Sequence, residues 1–441
     1  MKKSISIILV VMLLLSLSLI GCSNDNKGNE VDKPDEGDNQ KQQEENNDNV
    51  DEDASDDEST EGIVAEDGAT LKLWMDNDDY NEKIVEAWNK EYPDIELTVE
   101  NVGTTDARSK LELDGPAGVG ADVFVTAHDQ VGVAVEAGLI LENDLFADYV
   151  KESFMESAIP AVTYKGKIYG FPLSVKTVAL FYNKDLVDKP AETWEDMLEF
   201  AKKFNDTSQN KFAMVWQANE PYQNHGFLAG YGYKMFGSNG EDVDQLGWDT
   251  EEAIEGMKFY QKLKELYPVP AQDADWDAMT SMFSGGNAAY AITGPWSIND
   301  FEGAGINFGI TKLPKLPNGN YPISFSTVDV ACVSSYTEYP NAAKLLAKFL
   351  SSDEALKILY ETKRELPASL KAQELPEIKD DIYLAGVAEQ AESSIPMPLI
   401  AEMGSVWDPY KKALTAVWDE IQDPETALKA AQEEFYSAIG K

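Results

Sequence analysis

Cysteine and histidine are nearly absent from this sequence, with two of each in 441 residues. Cys22 falls at a processing site, which leaves Cys332 as the single thiol of the mature chain and excludes an internal disulfide. His128 and His225 are the only imidazoles and no DxDxDG-type loop is present, so the acidic residues read as solvated surface, with a carboxylate calcium site as the alternative, and no metal or cofactor is expected. Positive charge is scarce too: 36 Lys and Arg against 79 Asp and Glu give a net charge of −43. Such a chain repels phosphate backbones and anionic lipid, which argues against nucleic acid and against a polybasic membrane patch. No repeat of solenoid or propeller length is visible. What is present is 43% apolar residues, enough for two globular lobes once the ends are trimmed.

Lys2 and Lys3 precede an uncharged run from Ser4 to Gly21, the charged and apolar regions of an export signal. The run is short for a transmembrane helix and is followed by acidic sequence, so a signal (1–21) is expected rather than a spanning anchor. Leu19-Ile20-Gly21-Cys22 resembles the bacterial lipobox, which implies diacylglyceryl transfer to the Cys22 thiol and two acyl chains in the membrane. Residues 23–69 carry 18 acidic residues against 3 lysines with few large apolar side chains. Residues 22–69 therefore read as a lipidated, disordered tether.

From Thr70 the pattern changes to short apolar strands alternating with amphipathic helices: strands at Thr70–Met75, Ile95–Val99 and Asp122–Val125, helices near Asn81–Lys90 and Ala107–Leu113. Alternation of this kind predicts an α/β fold with a parallel sheet. Further helices are expected over about Glu251–Leu266, Pro340–Leu350 and Asp353–Glu361. Thr193 and Asp196 form a capping box, and Asp423-Pro424 opens the last helix. Pro and Gly cluster at Tyr164–Pro172, Leu313–Pro322 and Ile395–Pro398, where chain crossings between lobes are expected.

The segment Asp122-Val-Phe-Val-Thr-Ala-His-Asp-Gln runs from a buried strand into a helix and brings Ala127, His128 and Asp129 to a strand's C-terminal edge, where open α/β folds bind ligands. It is followed by Tyr164-Lys-Gly-Lys-Ile-Tyr-Gly-Phe-Pro, Ala179-Leu-Phe-Tyr-Asn-Lys-Asp-Leu, Thr193-Trp-Glu-Asp, Glu220-Pro-Tyr, Ala291-Ile-Thr-Gly-Pro-Trp and Met403-Gly-Ser-Val-Trp-Asp-Pro-Tyr. In this order they closely resemble the maltose/maltodextrin-binding proteins of ABC transporters, over essentially all of Thr70–Lys441. The resemblance implies a two-lobed type II periplasmic-binding-protein fold with three interlobe crossovers, 70–174 and 328–378 forming one lobe and 175–327 and 379–441 the other. It implies a monomer on the outer face of a bacterial, Gram-positive membrane, with ABC permease subunits as partners and a malto-oligosaccharide as ligand. Sugar rings present apolar faces and a hydroxyl rim, so their sites need flat aromatics and charged hydrogen-bonding groups. By the match, Tyr222, Trp296 and Trp407 are the platforms, and Asp129, Glu220 and Asp76 accept from hydroxyls. Thr105-Asp106-Ala107-Arg108 resembles Gram-positive members in which Asp106 and Arg108 reach the ligand.

Three positions depart from the enterobacterial pattern. Thr126 stands for an aromatic, Gln130 for a basic residue, and Lys176 for a sugar-binding carboxylate. These shift the expected ligand from maltose toward longer or cyclic dextrins. Bland alternatives stand beside the functional ones. Trp88, Trp194 and Trp418 lie on amphipathic helices and read as core. Asp129 could cap the helix that starts there. His128 reads as a satisfied structural histidine, His225 has no identifiable Ser/His/Asp partners, and Cys332 lies in an apolar run and reads as buried and inert. A secreted glycoside hydrolase is the rival class, because carboxylates and tryptophans also build sugar-cleaving sites. A receptor for another solute, or a sensor module, would keep the fold. No catalytic residue is nominated.

Overall fold

The computed structural model describes residues 63–441; the export signal, Cys22 and the tether as far as Gly62 lie outside the described residues. The strands are β1 (Thr70–Trp74), β2 (Glu96–Glu100), β3 (Val123–Ala127), β4 (Thr163–Tyr164), β5 (Lys167–Ile168), β6 (Phe171–Thr177), β7 (Ala179–Asn183), β8 (Phe212–Val215), β9 (Ala288–Thr293), β10 (Phe308–Thr311), β11 (Ser324–Val333), β12 (Leu366–Pro367) and β13 (Ser394–Pro396). One sheet runs β12-β6-β11-β3-β1-β2 with β13 also on β11; a second runs β10-β7-β9-β8.

The parallel pairing expected of the first strands forms, but both sheets are mixed. β1 pairs in parallel with β2 and β3, but β11 lies antiparallel to both β3 and β6. The cause is connectivity: β11 re-enters the first sheet from the other lobe, and its direction is set by that return path rather than by a helical crossover.

Two large apolar cores result, with a small third cluster of Tyr360, Ile378 and Leu384. Leu73, Val125, Leu173, Val330 and Leu346 belong to the first; Leu180, Met214, Ala291, Phe325 and Leu414 belong to the second. Core membership switches between Leu173 and Val178, between Phe325 and Val328, and between Ala372 and Met397. The first two passages run side by side as paired strands, with Thr177 opposite Ser326 and Lys176 opposite Thr327. This pairing satisfies backbone groups at the passage itself, which a Pro-rich segment would not do. The Pro and Gly clusters accordingly stand beside the first two passages rather than at them, while Ile395–Pro398 closes the third. His128 ties the region together: its Nδ1 accepts from the Val328 N–H at 3.1 Å, and its Nε2 meets the Met397 carbonyl at 3.1 Å. Those partners put the proton on Nε2, and burial lowers the ring's pKa to about 4, so the imidazole is neutral.

Helix starts follow the capping grammar. The Asn77 side chain caps Asp78–Glu91, Thr193 accepts from the Asp196 N–H at 3.1 Å, and Asp423 with Pro424 opens Pro424–Ala438. The packed part of the chain extends N-terminally of Thr70. Ile63 and Ala65 pack on the first core, and the Glu66 carboxylate accepts from the Asn341 and Ala342 N–H groups at 2.9 and 3.1 Å. An acid supplied from elsewhere in the chain thus caps the helix Pro340–Leu350, whose own Tyr339 cannot.

The lobes also meet through Arg364, held at φ 53° at the end of helix Asp353–Lys363. Its guanidinium donates to Asp381 at 2.6 Å, to Glu302 at 2.8 Å and to the Asn299 side-chain oxygen at 3.3 Å. Arg364→Ala leaves the buried Asp381 carboxylate without its cation, and a loss of about 3 kcal/mol is expected, read as a lower denaturation midpoint.

Candidate ligand-binding site

Trp296 owes its position to the two residues before it. A side chain on Gly294 would stand 2.2 Å from the indole, so only glycine lets the ring fold back over its own backbone. Pro295 then opens the short helix Pro295–Ser297. The ring is partly exposed, 6.4 Å from that of Tyr222. Tyr222 is carried by the helix Pro221–Gly230, which Pro221 starts. The loop before it, with Glu220 at its end, is pinned by the buried Asn224 amide, which donates to the carbonyls of Gln217, Ala218 and Glu220 at 2.8–3.1 Å.

Trp407 opens the helix Trp407–Trp418 and is also partly exposed. Its indole N–H donates to the Asp129 carboxylate at 3.1 Å across the lobes, and Gln130 Nε2 donates to the same oxygen at 2.6 Å. Gln130 in turn accepts from Arg108 Nε at 3.0 Å, while Arg108 also binds Glu112 at 2.8 Å. Gln130 thus relays between Arg108 and Asp129, and Arg108 joins the site through it. Burial pushes the Asp129 carboxyl up to about 6 against these donors. Asp129 is the first residue of its helix, Asp129–Glu136, but its side chain is engaged by Trp407 and Gln130. Thr126 is buried and donates to the Thr104 carbonyl at 3.0 Å, tying down the loop that leads to the exposed Asp106. The Asp106 side chain makes no cap for the helix Ala107–Asp114 that follows.

Lys176 is not a free cation. Its ammonium contacts Asp329 at 2.6 Å and Glu365 at 3.3 Å, and stands 5.8 Å from the Trp296 ring. Lys363 extends the cluster to Glu365 at 3.4 Å and to Asp76 at 2.7 Å. Burial works against ionisation of Glu365, yet Lys176, Lys363 and the Ser174 hydroxyl outweigh it and hold that carboxyl at about 2. Asp329 is pushed by burial up to about 6 despite Lys176. Tyr222 closes the circle, its hydroxyl donating to the Lys176 carbonyl at 3.3 Å.

The structure therefore gathers six of the eight nominated residues into two groups: Arg108, Asp129 and Trp407 in one, Asp76, Tyr222 and Trp296 around Lys176 in the other, while Glu220 stands just before the helix that carries Tyr222. Asp106 stands at the margin. Phe325, on the second chain passage, links the groups: its ring lies 6.3 Å from both Tyr222 and Trp407 and stacks on His225 at 3.6 Å. Sequence reasoning missed Phe325, because an apolar residue in an alternating strand signals burial and nothing more. It also missed Lys411, one helical turn after Trp407, whose charge opposes the burial that raises the Glu220 carboxyl. Spacing on that helix could have found it. The unnominated Trp88, Trp194 and Trp418 are fully buried, and Cys332 is a buried free thiol whose pKa burial pushes up to about 12.

Half-open aromatic rings with carboxylates beside them suit a polyhydroxylated, apolar-faced ligand. Residues 83–386 match the family model described as bacterial extracellular solute-binding protein. The galactooligosaccharide-binding protein of Bacillus subtilis (strain 168) is 34% identical over 386 residues, covering 85% of this chain and 91% of the relative. A maltooligosaccharide ABC transporter solute-binding lipoprotein of Streptococcus pneumoniae (strain ATCC BAA-255 / R6) is 29% identical, covering 80% and 84% respectively. A cyclo/maltodextrin-binding protein solved in complex with maltotetraose superposes with a TM-score of 0.70 at 34% identity, over 84% of this chain and 97% of that one. The fold is the two-lobed type II solute-binding fold, and the chain belongs to the bacterial extracellular solute-binding proteins, in the family that includes the maltose/maltodextrin-binding proteins.

Proposed function

We propose that this protein captures malto-oligosaccharides, including longer or cyclic dextrins, by lobe closure and delivers them to the membrane subunits of an ABC importer. The observation that carries the proposal is the run of rings Trp296, Tyr222, Phe325 and Trp407 along the second lobe, with Asp129 of the first lobe bonded to Trp407. Asp76, Asp129 and Glu220 would take hydroxyl hydrogens, Tyr222, Trp296 and Trp407 would lie against ring faces, and Asp106 and Arg108 would flank the entrance. Residues 70–174 with 328–378 and 175–327 with 379–441 act as the two closing lobes. The lipobox-like Leu19–Cys22 supports anchoring through Cys22 on the outer face of a Gram-positive membrane, with the acidic segment as spacer. The protein acts as a monomer and binds its sugar without cleaving it.

Galacto-oligosaccharides are the second ligand class, favoured by the 34% identity to the Bacillus galactooligosaccharide-binding protein. Calorimetry against maltotetraose, a cyclodextrin and a β-galacto-oligosaccharide decides between them. Maltotetraose is expected to bind near micromolar, about −8 kcal/mol, and to be recovered intact. Binding of the galactoside alone, or release of glucose or maltose, overturns the proposal.

A further inference from the structure

Lys176 and Asp329 hold a hydrogen-bonding capacity that the protein does not use. β6 and β11 pair antiparallel with Lys176 opposite Thr327 and Ser174 opposite Asp329, so these four side chains share one face of the sheet. Glu365 meets that face through Ser174 at 2.6 Å and Lys176 at 3.3 Å, and Tyr222 through the Lys176 carbonyl. An ammonium has three donors, and Lys176 directs two of them to Asp329 Oδ2 and Glu365 Oε1. The Trp296 ring stands 5.8 Å from the ammonium. The Lys176 side chain retains 12% exposure, whereas that of Asp329 retains 1%. Among the described residues, the second Asp329 oxygen, Oδ1, is buried and has no hydrogen-bond partner. Buried polar atoms are nearly always paired, so an unpartnered carboxylate oxygen beside the Lys176 ammonium calls for a partner that closure over a ligand would bring.

A donor and an acceptor side by side suit a hydroxyl group, which accepts through its oxygen and donates its hydrogen at the same time. We infer that Lys176 and Asp329 form a specificity-determining pair that reads one hydroxyl of the bound oligosaccharide, which accepts from Lys176 Nζ and donates to Asp329 Oδ1. The inference rests on the sugar assignment above and deepens it. A lone carboxylate at position 176 would demand only a donor. The Lys176–Asp329 pair demands both halves of a hydroxyl, so it rejects a deoxy sugar at that position. Glu365 and Lys363 keep the pair in place as positioning residues, and Asp76, at the exposed edge of the cluster, remains a separate acceptor.

The test is calorimetry of maltotriose and its monodeoxy derivatives on the wild type, Lys176→Met and Asp329→Asn, with a denaturation midpoint for each. The wild type is expected to bind one monodeoxy derivative roughly tenfold or more weakly than maltotriose, and the variants to bind the two equally. Because Lys176→Met leaves the buried Asp329 carboxylate without its cation, Lys176→Arg serves as the folded control; it keeps the carboxylates paired and is expected to weaken maltotriose while holding the midpoint. Wild-type binding with no deoxy derivative disfavoured, or variants that lower the midpoint and leave the sugar preference unchanged, overturns the pair and leaves the ligand assignment standing. Failure of the wild type to bind any malto-oligosaccharide overturns both.

Discussion

Trp296→Ala is expected to weaken maltotetraose binding roughly 10- to 150-fold, the equivalent of about 1.5–3 kcal/mol for one large ring taken out of contact. The ring is partly exposed and lies on Gly294, so its exposed face is what a sugar would cover. Its loss also removes the cover over Lys176 and one neighbour of Tyr222. Folding should survive, because the turn is set by Gly294 and Pro295 rather than by the indole. Trp418→Ala provides the contrast. That ring is fully buried and its N–H donates to the Val269 carbonyl at 2.8 Å, so about 3–5 kcal/mol of stability is expected to go while the sugar contacts themselves stay intact. Calorimetry and thermal denaturation on both variants separate platform from core. An unchanged dissociation constant in Trp296→Ala returns that ring to the core.

Affinity is expected to fall roughly tenfold between pH 7 and pH 5, because Asp129 binds hydroxyls as a carboxylate and burial pushes its pKa up to about 6. Protonation one unit below that value leaves about a tenth of the molecules in the binding form. Asp329, also pushed up to about 6, adds to the loss in the same window. Stability moves the other way. Both groups have folded pKa values above the ordinary 3.8, so their contribution to stability is complete below 3.8 and is lost as pH rises through 6. Glu365, held at about 2, contributes stability above its ordinary 4.5 that is lost as pH falls through 2, outside the window. Weakened binding at pH 5 is therefore not unfolding. Asp129→Asn should bind more weakly at pH 7 and show a flatter profile; a wild-type profile flat from pH 7 to 5 overturns the role of the carboxylate.

Sequence alone determined the local elements and the chemistry available to them. The Thr193–Asp196 cap, the Asp423-Pro424 start and the burial of Trp88, Trp194 and Trp418 were legible because capping and helical periodicity act within a few residues. Gly294-Pro295-Trp296 could be read as a turn that displays an indole for the same reason. Tertiary structure alone decided strand direction, since β11 runs against β3 only because the chain returns from the second lobe. It decided that Phe325 joins two platforms, that the Lys411 charge acts on Glu220, and that the charge reversal at Lys176 is answered by Asp329 and Glu365, 153 and 189 residues away. No periodicity carries such information, because whether a buried charge finds its counter-charge depends on which distant strands the fold lays side by side. The first seven described residues teach the same lesson. Their composition reads as tether, yet Glu66 is held because a helix at Pro340 has no cap of its own.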